Sequence, residues 1–345
     1  METGPSTASR KDDHIRINLG ADVAGAVSAG FENYRFQHLA LPEIDLDDVS
    51  TATSLFGRAM RAPILISCMT GGTENAGRIN AVLAEVAQAS GLAMGLGSGR
   101  ALLENPGAPG FDARRRAPDV PLLANIGAAQ LNATGGVEAS RRLLDLTSAD
   151  ALCVHLNPLQ EALQPEGEPR FKGLLRKIEA LCRALGAPVV VKEVGWGLAP
   201  DVVAALFEAG VSAVDVAGAG GTSWSEVERR RATGRRERVA RAFARWGIPT
   251  TEALVAARAA AGHRTVIASG GVRDGMDVSI AIALGADVAG LAGPFLRAAD
   301  QGPQAAADFA AELVDTLRIV MFCVGASDIA VFRSAPRLVR ASAST

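Results

Sequence analysis

Residues 151–161 read Ala-Leu-Cys-Val-His-Leu-Asn-Pro-Leu-Gln-Glu. The apolar run Ala151, Leu152, Cys153, Val154 has the pattern of a buried strand. Four polar side chains of differing chemistry follow it: His155, Asn157, Gln160 and Glu161. Pro158 has no N–H to offer a neighbouring strand and fixes its own φ, so it ends the pairing and holds these groups on a loop. In parallel α/β proteins, chemistry gathers at the C-terminal ends of strands. The chain has only four histidines, and one stands here. The loop is a candidate site.

The same unit recurs along the chain from about residue 63: a short apolar strand, a polar or Gly-rich loop, then an Ala-rich amphipathic helix. The pattern predicts strands at 63–68, 92–96, 121–125, 150–154, 188–193, 213–217, 265–269 and 287–291. Helices are predicted between most of them, including 79–90, 200–209, 251–260 and 276–284. Strands alternating with helices imply a parallel sheet. About eight units favour a closed TIM (β/α)8 barrel; an open, doubly wound α/β sheet is the alternative. Residues 1–9 are small and polar and are expected to be disordered. No linker-like shift divides residues 10–345, which read as a single domain. Its first part, to about residue 60, is an arm without periodic pattern, expected to pack on the barrel or on a neighbouring subunit. The polar stretch 223–245 interrupts the repeat and reads as a lid or insertion.

Bulk properties exclude some partners. A 345-residue chain with 48% hydrophobic and 21% charged residues can bury a sizeable core. A net charge of −2 and 4% aromatics speak against nucleic acid. Apolar stretches are broken well before a membrane span, so no membrane partner is expected. The four cysteines form no Cys-x-x-Cys pair, which suits a reducing, cytoplasmic setting.

After the seventh predicted strand comes Ser269-Gly270-Gly271-Val272-Arg273, and after the eighth Ala292-Gly293-Pro294. Glycines allow close backbone approach, and successive N–H groups at a helix start can hold an anion. In barrels these two loops form the common phosphate site. The ligand is either a phosphorylated substrate or a cofactor such as FMN. Lys192 ends the fifth strand, where burying it unpaired is costly. It faces an anion or electron-rich ring, or it pairs with a carboxylate such as Glu193. Glu226 and Glu228 follow Trp224 and are two apart, so at most one points inward.

Together these stretches resemble the type II, flavin-dependent isopentenyl-diphosphate isomerases. The resemblance is carried by residues 10–15 (Arg-Lys-Asp-Asp-His-Ile), 69–72, 97–100, 155–167, 191–195, 220–224, 246–250 and 269–273, in family order, with a weaker match at Met321 and Phe322. The run His-Leu-Asn-Pro-Leu-Gln-Glu-Ala-Leu-Gln-Pro-Glu-Gly is the most specific. The resemblance implies interconversion of isopentenyl and dimethylallyl diphosphate in isoprenoid biosynthesis, with reduced FMN, Mg2+, NADPH as flavin reductant, and a homo-oligomer (tetramer or octamer).

It further implies that Cys68, Met69, Thr70, Ser98, Asn125, Lys192 and Thr222 line FMN, with Gly271, Val272, Arg273, Ala292 and Gly293 at its phosphate. Arg10, Lys11, His14, Ser98, Gly99, Arg100, His155, Asn157 and Gln160 would reach the substrate, and Glu161 would bind Mg2+. The implied catalytic set is His155, Asn157, Gln160, Lys192 and Glu228, with His155 read chiefly as a donor to diphosphate. The family usually has Gln where this chain has Gly99, a departure that removes an amide from the expected diphosphate region.

The residues suit that chemistry. A lysine beside a reduced flavin favours its anionic form, and one carboxylate beside a diphosphate is a typical Mg2+ environment. Three rivals stand beside it: an FMN-dependent 2-hydroxy-acid oxidase, a non-catalytic flavin-binding barrel, and a flavin-free phosphosugar enzyme. The oxidase needs a histidine base at a late strand. His263 precedes the seventh strand and so falls at the wrong face.

Overall fold

A computed structural model describes residues 7–133 and 135–341; the side chains of residues 7–10 lie outside it. Among the described residues, eight parallel strands close into a barrel. They are β1 (Ile64–Ile66), β2 (Ala93–Gly95), β3 (Leu122–Gly127), β4 (Ala151–His155), β5 (Val189–Lys192), β6 (Ala213–Asp215), β7 (Thr265–Ala268) and β8 (Val288–Leu291). Each falls on a predicted run. β3 and β4 run past its end, by two residues and one, and the other six stay within its bounds. Buried parallel strands need no polar face, so each appears in the sequence as a short apolar block. The helix predicted from residue 79 starts earlier, at Glu74, because the Thr73 side chain accepts the Ala76 N–H and caps it there.

The barrel interior is filled by alternate residues of the strands, among them Leu65, Leu123, Cys153, Val190, Ile267 and Val288. Leu55 and Met60 join this cluster from an antiparallel hairpin, Thr53–Leu55 with Arg58–Met60. Arg58 of the hairpin donates through Nε to Asp150, just before β4, and through Nη1 to the carbonyls of Pro118 and Asp119. The hairpin therefore plugs the N-terminal end of the barrel. The C-terminal end stays open.

The arm is more ordered than its lack of pattern suggests. Its short strand Tyr34–Phe36 pairs antiparallel with Leu338–Arg340 at the other end of the chain. Helix α1 (Thr7–Gly20) opens inside the stretch expected to be disordered; residues 1–6 lie outside the described residues. This helix is held by burial of Ile15 and Ile17, which supplies the packing that a polar start lacks. The 223–245 stretch folds as two helices, α2 (Trp224–Arg231) and α3 (Gly234–Arg241). Ile17 and Val23 pack with Val227 and Trp224, so α1 and α2 form one rim over the open end. Helices α4 (Gly275–Ala283) and α5 (Gly293–Gln301) follow β7 and β8. Among the described residues, no helix is long and apolar enough to cross a membrane.

Met60→Ala is expected to lower the unfolding free energy by about 2–4 kcal/mol, the usual cost of emptying a buried methionine site. Urea unfolding measures it; a loss below about 1 kcal/mol would mean the hairpin is not part of the interior packing.

Candidate active site at the open end of the barrel

Strand register sets the floor of the site. Gly127, His155, Lys192 and Asp215 are successive partners across β3, β4, β5 and β6, so their Cβ directions agree. His155, Lys192 and Asp215 line a cavity of about 620 Å³. It is walled by α1, by the loops after the strands and by the start of α5.

His155 stands at the end of β4, at the start of the 155–161 loop. Its Nδ1 lies 2.9 Å from Asn125 Oδ1, an acceptor, so Nδ1 carries the hydrogen and Nε2 keeps a lone pair. Burial, reinforced by the neighbouring Lys192 ammonium, drives its pKa down to about 3. The imidazole is neutral. Gly127 makes room for it, since a Cβ there would stand 3.0 Å from His155 Nε2.

Lys192 does not pair with the Glu193 carboxylate. Its Nζ donates to the Glu193 carbonyl at 3.2 Å. The Glu193 side chain turns back to accept the N–H groups of Val194, Gly195 and Trp196 at 2.7, 2.8 and 2.6 Å. Burial still raises the Glu193 pKa to about 7, against those three donors. The lysine lines the cavity. Asp215 beside it is buried, which raises its pKa, and accepts Ser269 Oγ at 2.7 Å.

The Gly-rich loops behave as a cradle. Gly270 and Gly271 have φ of +96° and +72°, and a Cβ on Gly271 would meet the Gly220 carbonyl carbon at 2.6 Å. Gly290 is required by packing, because a Cβ there would lie 2.6 Å from Ser67 Oγ. That Ser67 oxygen is buried and finds no hydrogen-bond partner among the described residues. Arg273 donates to the Gly220 carbonyl at 3.0 Å, and Asp274 caps α4 by accepting the Met276 and Asp277 N–H groups. Val272, Ala292 and Gly293 complete this wall.

The opposite wall holds Asn157, Gln160 and Glu161. Asn157 Nδ2 donates to Gln160 Oε1 at 3.1 Å and to Glu161 Oε1 at 2.9 Å, while its own Oδ1 is buried without a partner among the described residues. The Glu168 N–H donates to Glu161 Oε2 at 2.7 Å. Above them, Lys11 Nζ reaches the carbonyls of Gly71 and Ser98, and Arg100 also borders the cavity. His14 Nε2 is 3.2 Å from Glu228 Oε1, and its ring meets Trp224 edge-on at 5.1 Å. Thr222 Oγ1 donates to Asn18 at 3.0 Å. Cys68, Met69 and Thr70 complete the lining on the β1 side.

Two expected site residues are not brought to the cavity. Glu228 lies behind His14, with its second oxygen taken by Arg231 at 2.6 Å. Burial raises its pKa, but His14 and Arg231 outweigh that and hold the carboxyl below its ordinary range. It can orient His14; it does not touch the cavity. Gly99 faces outward: a Cβ there would meet the Leu143 side chain, so a glutamine at this position would point toward Leu143. The Arg10 side chain lies outside the described residues. Glu226, the other candidate, pairs with Arg229 at 2.7 Å.

Asn18, Ser67, Gln130, Asp215 and Arg297 also border the cavity and were not expected. Asp215 had a readable signal, a carboxylate inside an apolar strand, as Lys192 did. Arg297 follows Gly293 by one helical turn, which also was readable. Asn18 and Gln130 carried none. His263 is exposed before β7 begins, away from the cavity. Among the described residues, no group of three or more His, Cys, Asp or Glu side chains could hold a metal alone.

Residues 155–338 match the family model described as FMN-dependent dehydrogenase. Curated relatives match nearly end to end. The isopentenyl-diphosphate delta-isomerase of Xanthobacter autotrophicus is 51% identical over 330 residues, covering 95% of this chain and 96% of that one. The enzyme of the same name from Nostoc sp. is 50% identical, covering 94% and 93%. Among solved structures, flavocytochrome b2 superposes with a TM-score of 0.69 at 19% identity, covering 95% of this chain and 82% of that one. A mandelate oxidase does so with 0.67 at 17%, covering 96% and 95%. At such identity these two share the fold.

Two outcomes are expected from this geometry. Gly99→Gln should cost about 1–3 kcal/mol of stability through overpacking against Leu143, without tightening inorganic pyrophosphate binding; tighter binding would mean the side chain reaches the cavity. In 15N NMR, the His155 ring should stay neutral from pH 8 down to 5, its hydrogen on Nδ1; titration near the ordinary histidine value would contradict the buried, Lys192-facing placement.

Proposed function

The chain belongs to the flavin-dependent isopentenyl-diphosphate delta-isomerases, and we propose that it interconverts isopentenyl and dimethylallyl diphosphate on reduced FMN with Mg2+. The observation that carries this reading is the pairing of two walls. One is a glycine cradle with a positively charged lysine beside it, and the other is a carboxylate held among amides.

The residues fit FMN. The cradle has positions that a Cβ would fill, Ser67 Oγ is an orphaned buried hydroxyl at its floor, and Lys192 faces the space between the walls. Gly271, Val272, Arg273, Ala292 and Gly293 would hold the phosphate, and Cys68, Met69, Thr70, Ser98, Asn125 and Thr222 the ring and ribityl chain. When bound, reduced FMN supplies an acid–base centre strong enough for an unactivated alkene, together with electron density facing the developing cation. Lys192 contributes positive charge that favours the anionic reduced ring.

Mg2+ is a hard cation that binds through one or two carboxylates, waters and phosphate oxygens. Glu161 offers one carboxylate, and the orphaned Asn157 Oδ1 is an acceptor suited to a metal-bound water. This is a fit only in the company of a diphosphate, which agrees with the lack of a larger ligand cluster among the described residues. Lys11, His14 and Arg100, with Arg10, would neutralise the diphosphate from above, and Ser98 and Gln160 would position it. His155 acts as a neutral hydrogen-bonding group and not as a cation. Glu228 orients His14. The apolar side of α1, with Ile15 and Leu19, and Val23 just beyond it exclude water from the five-carbon chain. NADPH as reductant, a cytoplasmic setting and a homo-oligomer (tetramer or octamer) complete the reading.

Purified yellow protein should convert isopentenyl diphosphate to dimethylallyl diphosphate only when reduced by NADPH or dithionite and supplied with Mg2+, with the product identified by NMR. Full turnover by flavin-free protein would overturn the reading. Glu161→Gln should weaken Mg2+-dependent turnover at least about tenfold and leave FMN affinity unchanged; equal loss of both would indicate a folding defect.

A further inference from the structure

The loop after the Glu161 helix ties the metal carboxylate to the arginine above it through one residue. Glu168 donates its N–H to Glu161 Oε2 at 2.7 Å, and its own carboxylate lies 3.5 Å from Arg100 Nη1. The loop is held on both sides of this residue. A Cβ on Gly167 would collide with the Glu161 carbonyl, so only glycine lets the chain lie against that helix. Beyond it, the Arg100-side strand of loop is anchored where Asn132 donates to the Arg170 carbonyl. The Arg100 guanidinium is also engaged by Glu104, at 3.1 Å from Nε.

We propose that Glu168 is a positioning residue that competes with the substrate: its carboxylate parks Arg100 at the cavity rim, and a bound diphosphate takes the guanidinium from it. The inference rests on the diphosphate reading above. Both anions need the same forked donor, and a guanidinium paired with one carboxylate offers fewer N–H groups to a phosphate. Glu168 also places a negative charge near the path of a highly anionic ligand. The pair is half-exposed, with 37% and 51% of the two side chains accessible, so the competition is modest. Because the N–H to Glu161 belongs to the backbone, replacing the side chain releases Arg100 without removing the donor that orients the metal carboxylate.

The test uses Glu168→Gln and Glu168→Ala as flavin-loaded protein. Calorimetry with inorganic pyrophosphate and Mg2+ should show binding about 2–5-fold tighter than wild type in both variants. The KM for isopentenyl diphosphate should fall by a similar factor with little change in kcat, and the Mg2+ half-saturation should stay constant. A merely structural role predicts weaker binding, not tighter. Unchanged or weaker pyrophosphate binding in both variants overturns the competition, as does a shift in Mg2+ half-saturation, which would mean the loop itself had moved. Wild-type protein that fails to bind pyrophosphate at all would sink the diphosphate reading together with it.

Discussion

A lysine ammonium at the end of an apolar strand must meet water, a counter-charge or a ligand, and the rest of the site follows from where Lys192 is sent. Strand alternation turns it inward, at the level of His155 and Asp215. The Glu193 carboxylate is committed to three backbone N–H groups, while the buried Asp215 carboxylate, beside Lys192 in register, feels the ammonium's charge. The ammonium also lines the cavity at the open end of the barrel. Burial, reinforced by this ammonium, keeps His155 neutral, and Lys192 gives the cavity lining a cationic group.

The two ends of the barrel have opposite treatments. At the N-terminal end Leu55 and Met60 close the interior with apolar side chains. At the C-terminal end glycines, Ser67 and Asn157 leave space and unsatisfied atoms that packing alone does not explain. The arm and the α2–α3 insertion then cover this end from one side, through Ile17, Val23, Trp224 and Val227. A rigid floor with a rim built from separate segments suits a site that must admit a charged substrate and then exclude water from its apolar part.

The barrel was legible because buried parallel strands appear as apolar blocks and the helices between them as amphipathic runs. The arm was not. Its strands are three residues long, too short to show a period, and Tyr34–Phe36 finds its partner some three hundred residues away. Most of the lining was legible from motifs, since loops after barrel strands converge on one place. Direction was the missing information. Nothing in the string says that Glu228 lies behind His14 or that position 99 faces Leu143, because both depend on how a helix start is rotated against its neighbours. Asp215 stood in plain view between Val214 and Val216, by the same reasoning that singled out Lys192.

The most direct test is a crystal structure with FMN and isopentenyl diphosphate both bound. Lys192 Nζ should lie within hydrogen-bonding reach of the isoalloxazine edge, about 3 Å, with the flavin phosphate between Gly271 and Gly293 and the substrate diphosphate beside Glu161. A flavin phosphate seated at Asn157 and Glu161, or a Lys192 side chain turned away from the ring, would contradict it.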